Sequence, residues 1–236
     1  MSTPSDAARK FDPARAGEYA VQSRIALAGY DACHELSACM LAAVLGSGGP
    51  AEILVAGAGG GAQEIVTAGP LEPGWRFTAV DPSAPMLDLA VARLRETGLD
   101  GRTEILLGTI DDLPADRRFD AATLIGVLHH LPGHDAKRAI LRSLAARLKP
   151  GAPLILAGNR FAYASQPLLL AAWGQRWRMH GATAEEVEAK LGKILQGADP
   201  PPSEDAIAGL LAATGFGPPT PFFSSLFWGA WLARRV

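Results

Sequence analysis

The chain has 236 residues, with 22 basic and 24 acidic side chains and a formal net charge of −2. A chain of this length can bury a full core without disulfides or metal ions, and its composition of 48% hydrophobic and 19% charged residues argues against disorder. The near-neutral charge balance and the lack of a basic stripe argue against a bulk nucleic-acid-binding surface.

The cysteines and the hydropathy bear on the compartment. Cys33 and Cys39 form no C-x-x-C motif, so we expect no metal site there and a reducing environment. The sequence shows no signal peptide and no span of about twenty apolar residues. We therefore predict a cytoplasmic protein without a membrane segment.

Residues 1–50 predict a helical cap. One helix is expected from Pro13 to about Leu27, Gly29 breaks it, and a second helix is expected from Ala32 to Leu45. The apolar faces of these helices are compatible with a homodimer.

Residues 51–160 predict the core domain, and the stretch ILVAGAGGGAQEIV at 53–66 is its most informative part. A buried strand leads into Gly57 and Gly59, whose missing Cβ atoms permit a positive φ and the close approach of a ligand. A helix then begins near Gly61 and directs free N–H groups at the same ligand. Such a turn binds nucleotide-like cofactors, although it also occurs as a simple turn.

Asp81 strengthens the nucleotide interpretation. It follows a second apolar strand, Phe77–Val80, about twenty residues after the glycine turn, where a carboxylate can accept both hydroxyls of a ribose. The alternative is that Asp81 only caps the next helix.

Three more strands alternate with helices, which is the βαβ pattern of a parallel sheet. They lie in the segments LLGTIDDLP (106–114), FDAATLIGVLHHLPG (119–133) and LKPGAPLILAG (148–158). Right-handed crossovers place the carboxyl ends of all parallel strands on one edge. The sequence therefore predicts one cleft bordered by Gly57, Asp81, Thr109 and Gly126.

The remaining residues predict a lid and the end of the sheet. Residues 161–200 form a helical insertion rich in aromatic residues, and residues 201–236 form a helix and an antiparallel hairpin of Phe222–Leu226 and Phe227–Leu232. The predicted fold is α/β: a Rossmann-like, seven-stranded, mostly parallel sheet with a C-terminal antiparallel hairpin, helices on both faces, an N-terminal helical cap and a helical lid insertion.

This ordered set of motifs resembles the class I S-adenosylmethionine-dependent methyltransferases. The resemblance implies S-adenosyl-L-methionine as the cofactor, with Asp81 at the ribose. It also implies that the methionine part packs on the glycine turn, at Gly57, Ala58 and Gly59. Pro82 and Met86 would flank the adenine, and the loop after the third strand, Thr109, Ile110 and Asp111, would cover its edge. The loop after the fourth strand, with Gly126 and Val127, would lie near the sulfonium.

The chain departs from the family pattern at Val55. Many members carry an acid two residues before the first glycine of the turn, and it commonly contacts the amino group of the cofactor. Because Val55 occupies that position here, other residues must hold the amino-acid end.

A weaker resemblance concerns the carboxy-S-adenosylmethionine synthase branch. It rests on Gly29–Tyr30 in the cap, on an R-x-x-G pattern at 178–181 and on the terminal hairpin. It implies that Tyr30 and Arg178 hold the amino-acid end or an added carboxylate. The loop VLHHL lacks the glutamine of that branch, and Gly126 replaces its asparagine. We interpret the chain as a related small-molecule enzyme.

His129 and His130 are the candidate catalytic residues. A histidine after the fourth strand can act as a general base near the methyl acceptor, although "LHHL" also serves as helix-entry packing. No metal-ligand spacing is visible. The sequence predicts in-line methyl transfer to a small molecule, with a cofactor-modifying enzyme and a non-catalytic cofactor-binding module as alternatives.

Overall fold

The computed structural model describes residues 16–236, with side chains described from residue 21 onwards. The cap contains α1 (Ala16–Ala26) and α2 (Tyr30–Leu45). The start of the helix predicted from Pro13 lies outside the described residues. Gly29 separates the two helices with a φ of 82°, which confirms the predicted break.

The remaining helices and strands alternate through the core and then close the sheet. They are β1 (Ala51–Ala56), α3 (Gln63–Leu71), β2 (Trp75–Asp81), α4 (Ala84–Glu96), β3 (Thr103–Leu107), β4 (Ala121–Ile125), α5 (Gly133–Arg147), β5 (Pro153–Asn159), α6 (Pro167–Met179), α7 (Ala184–Gly197), α8 (Glu204–Ala212), β6 (Thr220–Ser225) and β7 (Trp228–Arg234).

The seven strands form one sheet in the order β3-β2-β1-β4-β5-β7-β6. The strands from β1 to β5 pair in parallel, β7 is antiparallel to β5, and β6 is antiparallel to β7. The hairpin turns at Leu226 and Phe227, so the ends of its strands differ from the predicted ones by one or two residues. This sheet confirms the predicted fold class.

Helices cover both faces of the sheet because side chains along a strand alternate between its faces. Ile53 and Val55 of β1 belong to a core with residues of α2, α3 and α4. Leu54 and Ala56 belong to a second core with residues of α5 and α8. The near-continuous apolar run of β1 is therefore explained by burial on both sides.

The strand order reverses between β1 and β4, which opens a crevice at their carboxyl ends. Gly57 turns the chain there with a φ of 74°, and its N–H donates to the carbonyl oxygen of Val80 at 2.8 Å. A Cβ at Gly57 would lie 2.3 Å from Cγ2 of Val127, in the loop after β4. Only glycine fits this turn, and the two loops that border the crevice are in contact.

The lid follows β5 and contains α6 and α7. Thr183 begins α7 with a capping box: its hydroxyl accepts the N–H of Glu186 at 3.2 Å, and the Glu186 carboxylate accepts the N–H of Thr183 at 2.9 Å. Tyr163 and Trp173 pack with Phe227 of the hairpin turn in a separate buried cluster. The lid therefore packs on the hairpin turn as well as on the cap. The division into residues 1–50, 51–160, 161–200 and 201–236 remains an interpretation of the sequence.

Two further predictions concern the cysteines and the membrane. Cys33 is buried and Cys39 is exposed, and both are free thiols. Over residues 16–236, the structure has no helix that is both long and apolar enough to span a lipid bilayer.

Candidate active site

A cavity of about 410 Å³ lies at the carboxyl edge of the sheet, between the cap and the lid. Its volume is in the range of small-molecule and cofactor pockets, about 300–1,000 Å³. Six parts of the chain supply its walls: the cap, the glycine turn with the start of α3, the loop after β4, the end of β5, the lid, and Trp228 at the start of β7. The predicted cleft is therefore a partly enclosed chamber, with one wall formed by the glycine turn and another by aromatic side chains.

Asp81 lies beside the glycine turn at the end of β2. Its Oδ1 accepts the N–H of Ser83 at 2.9 Å, and its Oδ2 accepts the N–H of Gly59 at 3.0 Å. Burial raises the pKa of this carboxyl, whereas the two backbone donors lower it. Asp81 does not itself line the cavity, but Gly59 does. Each oxygen retains a lone pair, so the carboxylate can accept two adjacent hydroxyls, as a ribose presents them.

Gly57 and Gly59 carry no side chain at the points where the turn borders the cavity. A Cβ at Gly59 would lie 3.0 Å from Cε of Met86 and 3.1 Å from Oδ2 of Asp81. Gly57 and Gly59 both line the cavity, and Ala58 between them is buried. The turn therefore has the open backbone that a nucleoside cofactor requires.

The residues predicted around the adenine gather beside Asp81, outside the main cavity. The N–H of Gly108 donates to the carbonyl oxygen of Asp81 at 3.0 Å, which ties the loop after β3 to the end of β2. Met86 and Ile110 are buried, whereas Pro82, Thr109 and Asp111 are exposed. This arrangement provides an apolar shelf with a polar rim.

Side chains of the cap line the cavity together with the glycine turn and the helix that follows it. Tyr30 and His34 of α2 line the cavity, with their ring centroids 4.4 Å apart, and Glu64 of α3 lines it as well. Val55 is fully buried in the core, so it offers no polar group at the position where the family pattern has an acid. The sequence analysis missed Glu64. An acid in the first turn of the helix after the glycines was the available signal.

The loop after β4 brings Gly126 and both candidate histidines to the cavity. His129 is 5% exposed, and burial together with the charges of His130 and Lys137 holds its pKa well below the usual range. Its Nδ1 packs against Gly158 and has no hydrogen-bond partner among the described residues. His130 is the exposed member of the pair. His129 is therefore neutral at pH 7, and the two histidines are not equivalent.

The opposite wall is aromatic and contains one buried polar pair. Asn159, at the end of β5, donates through Nδ2 to the Tyr163 hydroxyl at 2.6 Å. Burial raises the pKa of Tyr163 to about 12, so its hydroxyl keeps its proton. The Oδ1 of Asn159 is buried without a hydrogen-bond partner in the described structure. Three tryptophans complete this wall: Trp173, Trp177 and Trp228. The sequence analysis missed Asn159, whose only signal was a polar residue that ends a buried strand.

Arg178 is not at the cavity. It is exposed, and its guanidinium donates to Oε1 of Gln175 at 3.0 Å. Arg176 points to the cap instead and donates to the carbonyl oxygens of Ile25 at 2.7 Å and Arg24 at 2.8 Å. The indole N–H of Trp173 donates to the carbonyl oxygen of Ala26 at 2.8 Å. Side chains of the lid helix thus cap the end of α1 and join the cap to the lid.

No group of three or more metal-ligating side chains occurs within the part of the chain that the structure describes.

Comparison with protein families adds the decisive observation, because residues 54–154 match the model of a family described as a methyltransferase domain. These residues run from β1 into β5 and include the glycine turn, Asp81 and both histidines. Residues 54–154 are a methyltransferase domain. This match agrees with the predicted methyltransferase family, for which the sequence resemblance implied S-adenosyl-L-methionine as the cofactor.

Solved structures share the fold of this methyltransferase domain at low sequence identity. The mitomycin 7-O-methyltransferase MmcR is 22% identical, with a TM-score of 0.61, over 86% of this chain and 54% of that one. An O-methyltransferase family protein from Burkholderia thailandensis is 19% identical, with a TM-score of 0.60, over 91% and 62%. The N,N-8-amino-8-demethyl-D-riboflavin dimethyltransferase RosA from Streptomyces davawensis is 17% identical, with a TM-score of 0.57, over 78% and 49%. The chain thus spans about half to two thirds of these structures. No curated protein sequence matches it.

The junction between lid and cap can be tested by changing Arg176 to Met. This change leaves two carbonyls of α1 without donors, and each hydrogen bond to a charged group is worth about 1.5–3 kcal/mol. We expect the amide hydrogens of α1 to exchange about tenfold faster or more, as measured by mass spectrometry. Arg178→Met is the matched control and should leave this exchange unchanged. Equal acceleration in both variants would show that Arg176 does not hold the cap.

The burial of His129 predicts a pH dependence of stability. Its pKa in the folded chain is below the unfolded value of about 6.5, so the unfolded chain takes up a proton first and stability is lost as the pH falls below 6.5. We expect His129→Gln to remove up to about 2 kcal/mol of the loss between pH 7 and pH 5, because one pH unit corresponds to about 1.4 kcal/mol. Urea unfolding at pH 7 and at pH 5 measures the free energy of unfolding of each variant. His134→Gln, at an exposed position, is the control, and parallel losses in wild type and His129→Gln would refute the assignment.

Proposed function

We propose that this chain transfers the methyl group of S-adenosylmethionine to a small, largely planar molecule held between the cofactor turn and the aromatic wall. One observation carries the proposal: a single cavity of about 410 Å³ joins Gly57 and Gly59 to a wall of three tryptophans and the Asn159–Tyr163 pair. Aromatic walls with a few placed polar groups are typical of pockets for small organic ligands.

Asp81 is the residue that we propose to hold the ribose. Its two backbone hydrogen bonds orient both carboxylate oxygens before any ligand binds. The turn at Gly57, Ala58 and Gly59 would receive the methionine part, and Gly126 with Val127 would lie nearest the sulfur. The adenine would rest on the shelf beside Asp81, whose residues are Pro82, Met86, Thr109, Ile110 and Asp111.

Bound S-adenosylmethionine supplies a methyl group that its positive sulfur already activates. The residues of the chain therefore need mainly to align the acceptor with the methyl–sulfur bond and to exclude water. The cap and lid serve the second task, because Arg176 and Trp173 join α6 to α1 over the cavity.

The buried Asn159–Tyr163 pair offers the methyl acceptor a hydrogen-bond donor and a hydrogen-bond acceptor. The Tyr163 hydroxyl receives its hydrogen bond from Asn159, so its own proton is available to a ligand, and Oδ1 of Asn159 can accept a hydrogen bond in return. We assign the removal of the acceptor's proton to His130, because His129 is buried and its pKa is strongly depressed. His129 would support the loop by packing.

The two alternative functions gain less support. For a carboxylated cofactor the resemblance assigns a role to Arg178, which is exposed and does not line the cavity. A non-catalytic module is favoured only by the departure at Val55. The cytoplasmic location and a homodimer remain predictions from the sequence.

Binding of the cofactor product tests the first half of the proposal. We expect S-adenosylhomocysteine to bind the purified chain in isothermal titration calorimetry. Asp81→Asn removes the charge that accepts the ribose hydroxyls, and hydrogen bonds to charged groups are worth about 1.5–3 kcal/mol. The affinity of Asp81→Asn for S-adenosylhomocysteine should therefore be about 10- to 100-fold lower than that of the wild type. Asp88→Asn, at an exposed position on α4, should bind as the wild type does. Absence of heat with the wild type would refute the proposed function.

Turnover tests the second half. We expect release of S-adenosylhomocysteine when the chain is incubated with S-adenosylmethionine and members of a panel of phenols, catechols and aromatic amines. General base catalysis contributes about 10²- to 10⁴-fold, so His130→Gln should lower kcat by such a factor while leaving the affinity for S-adenosylhomocysteine unchanged. His129→Gln should have a smaller effect on kcat. Equal rates for wild type and His130→Gln would remove His130 from the chemistry.

A further inference from the structure

Glu64 presents a carboxyl group to the glycine-turn side of the cavity, and no lysine or arginine of the described residues pairs with it. It lies in the first turn of α3 and lines the cavity together with Gly57, Gly59 and His34. Among the described residues, no lysine or arginine forms an ion pair with it, and its carboxylate accepts a hydrogen bond only from its own backbone N–H. The side chain therefore retains most of its capacity to accept hydrogen bonds.

The surroundings of Glu64 make this lack of a partner costly. Burial raises the pKa of its carboxyl, and the charge of Asp81 adds to the effect, whereas His34 opposes it. His34 is itself buried, and its Nδ1 is bonded to the carbonyl oxygen of Tyr30 at 2.8 Å. In the described structure His34 forms no ion pair with Glu64. A half-buried carboxylate that lines a cavity is stabilised by a cation that arrives with a ligand.

The departure at Val55 shows where that cation is needed. Val55 is fully buried and apolar, so the end of β1 offers no acid to the amino-acid end of a cofactor on the glycine turn. We propose that Glu64 binds the α-ammonium group of S-adenosylmethionine and so supplies, from the first turn of α3, the charge that β1 lacks. The inference rests on the proposed function, because it assumes that the cofactor occupies this turn.

A simpler role for Glu64 would be to stabilise the start of α3. Acids in the first turn of a helix interact favourably with the helix dipole. That role is independent of any ligand and would not distinguish one part of a ligand from another. Ligands that share the adenosine but differ in the amino-acid end therefore separate the two roles.

The test compares S-adenosylhomocysteine with 5′-methylthioadenosine, which lacks the amino-acid end, in isothermal titration calorimetry. We expect Glu64→Gln to weaken the binding of S-adenosylhomocysteine by about 10- to 100-fold, as for a lost charged hydrogen bond, and to leave 5′-methylthioadenosine unaffected. Glu35→Gln, an exposed acid on the neighbouring α2, is the control and should change neither affinity.

The outcomes separate this inference from the proposed function. If the wild type binds neither nucleoside, the proposed function fails. If it binds both, but Glu64→Gln weakens both equally or neither, Glu64 does not hold the ammonium group. A ligand-side measurement adds a second readout: S-adenosylhomocysteine without its α-amino group should bind the wild type as weakly as the intact compound binds Glu64→Gln. If the glutamine variant does not fold, Glu64→Asp replaces it, with a smaller loss expected for S-adenosylhomocysteine alone.

Discussion

The site depends on the hydrogen bonds that the Asp81 carboxylate accepts from the backbone at Gly59 and Ser83. These bonds connect the end of β2 to the turn after β1 and fix both oxygens of the carboxylate in place. Their cost is the burial of an anion, which is visible in the raised pKa of Asp81. A polar ligand that brings two hydroxyls returns some of the hydration that the carboxylate lost, so the fold is arranged to favour the bound state.

The enclosure of the cavity depends on segments outside the matched domain. The last carbonyls of α1 find their donors on α6 rather than in solvent, through Arg176 and Trp173. The cap thus satisfies its helix end only when the lid is in place. This coupling explains how two short helical segments, neither part of the sheet, form a partly enclosed chamber over a widely shared core.

The fold could be predicted in nearly all its parts because its signals are local. The apolar run of β1, the glycines after it and Asp81 at the end of β2 each record a strand, a turn or a strand end in the sequence itself. The side of a helix that meets the core is harder to predict. Arg176 and Arg178 are two residues apart, about 200° around a helix. The resemblance implied a role at the cavity for Arg178, but Arg178 is exposed and Arg176 is the one that contacts the cap. Glu64 and Asn159 escaped notice because an acid in a first helical turn and a polar strand end are common without any function.

The contact between Gly57 and Val127 constrains how such an enzyme can change during evolution. The chain segment that carries the histidines touches the segment that would hold the methionine part, with no space for even one additional methyl group. A bulkier side chain at Val127 would displace the glycine turn. A change of acceptor specificity by substitution in the loop after β4 would therefore weaken the binding of the methyl donor. The aromatic residues of α6 are free of this conflict. We expect related chains to vary in the aromatic residues of α6 and to keep the glycine turn and the loop after β4.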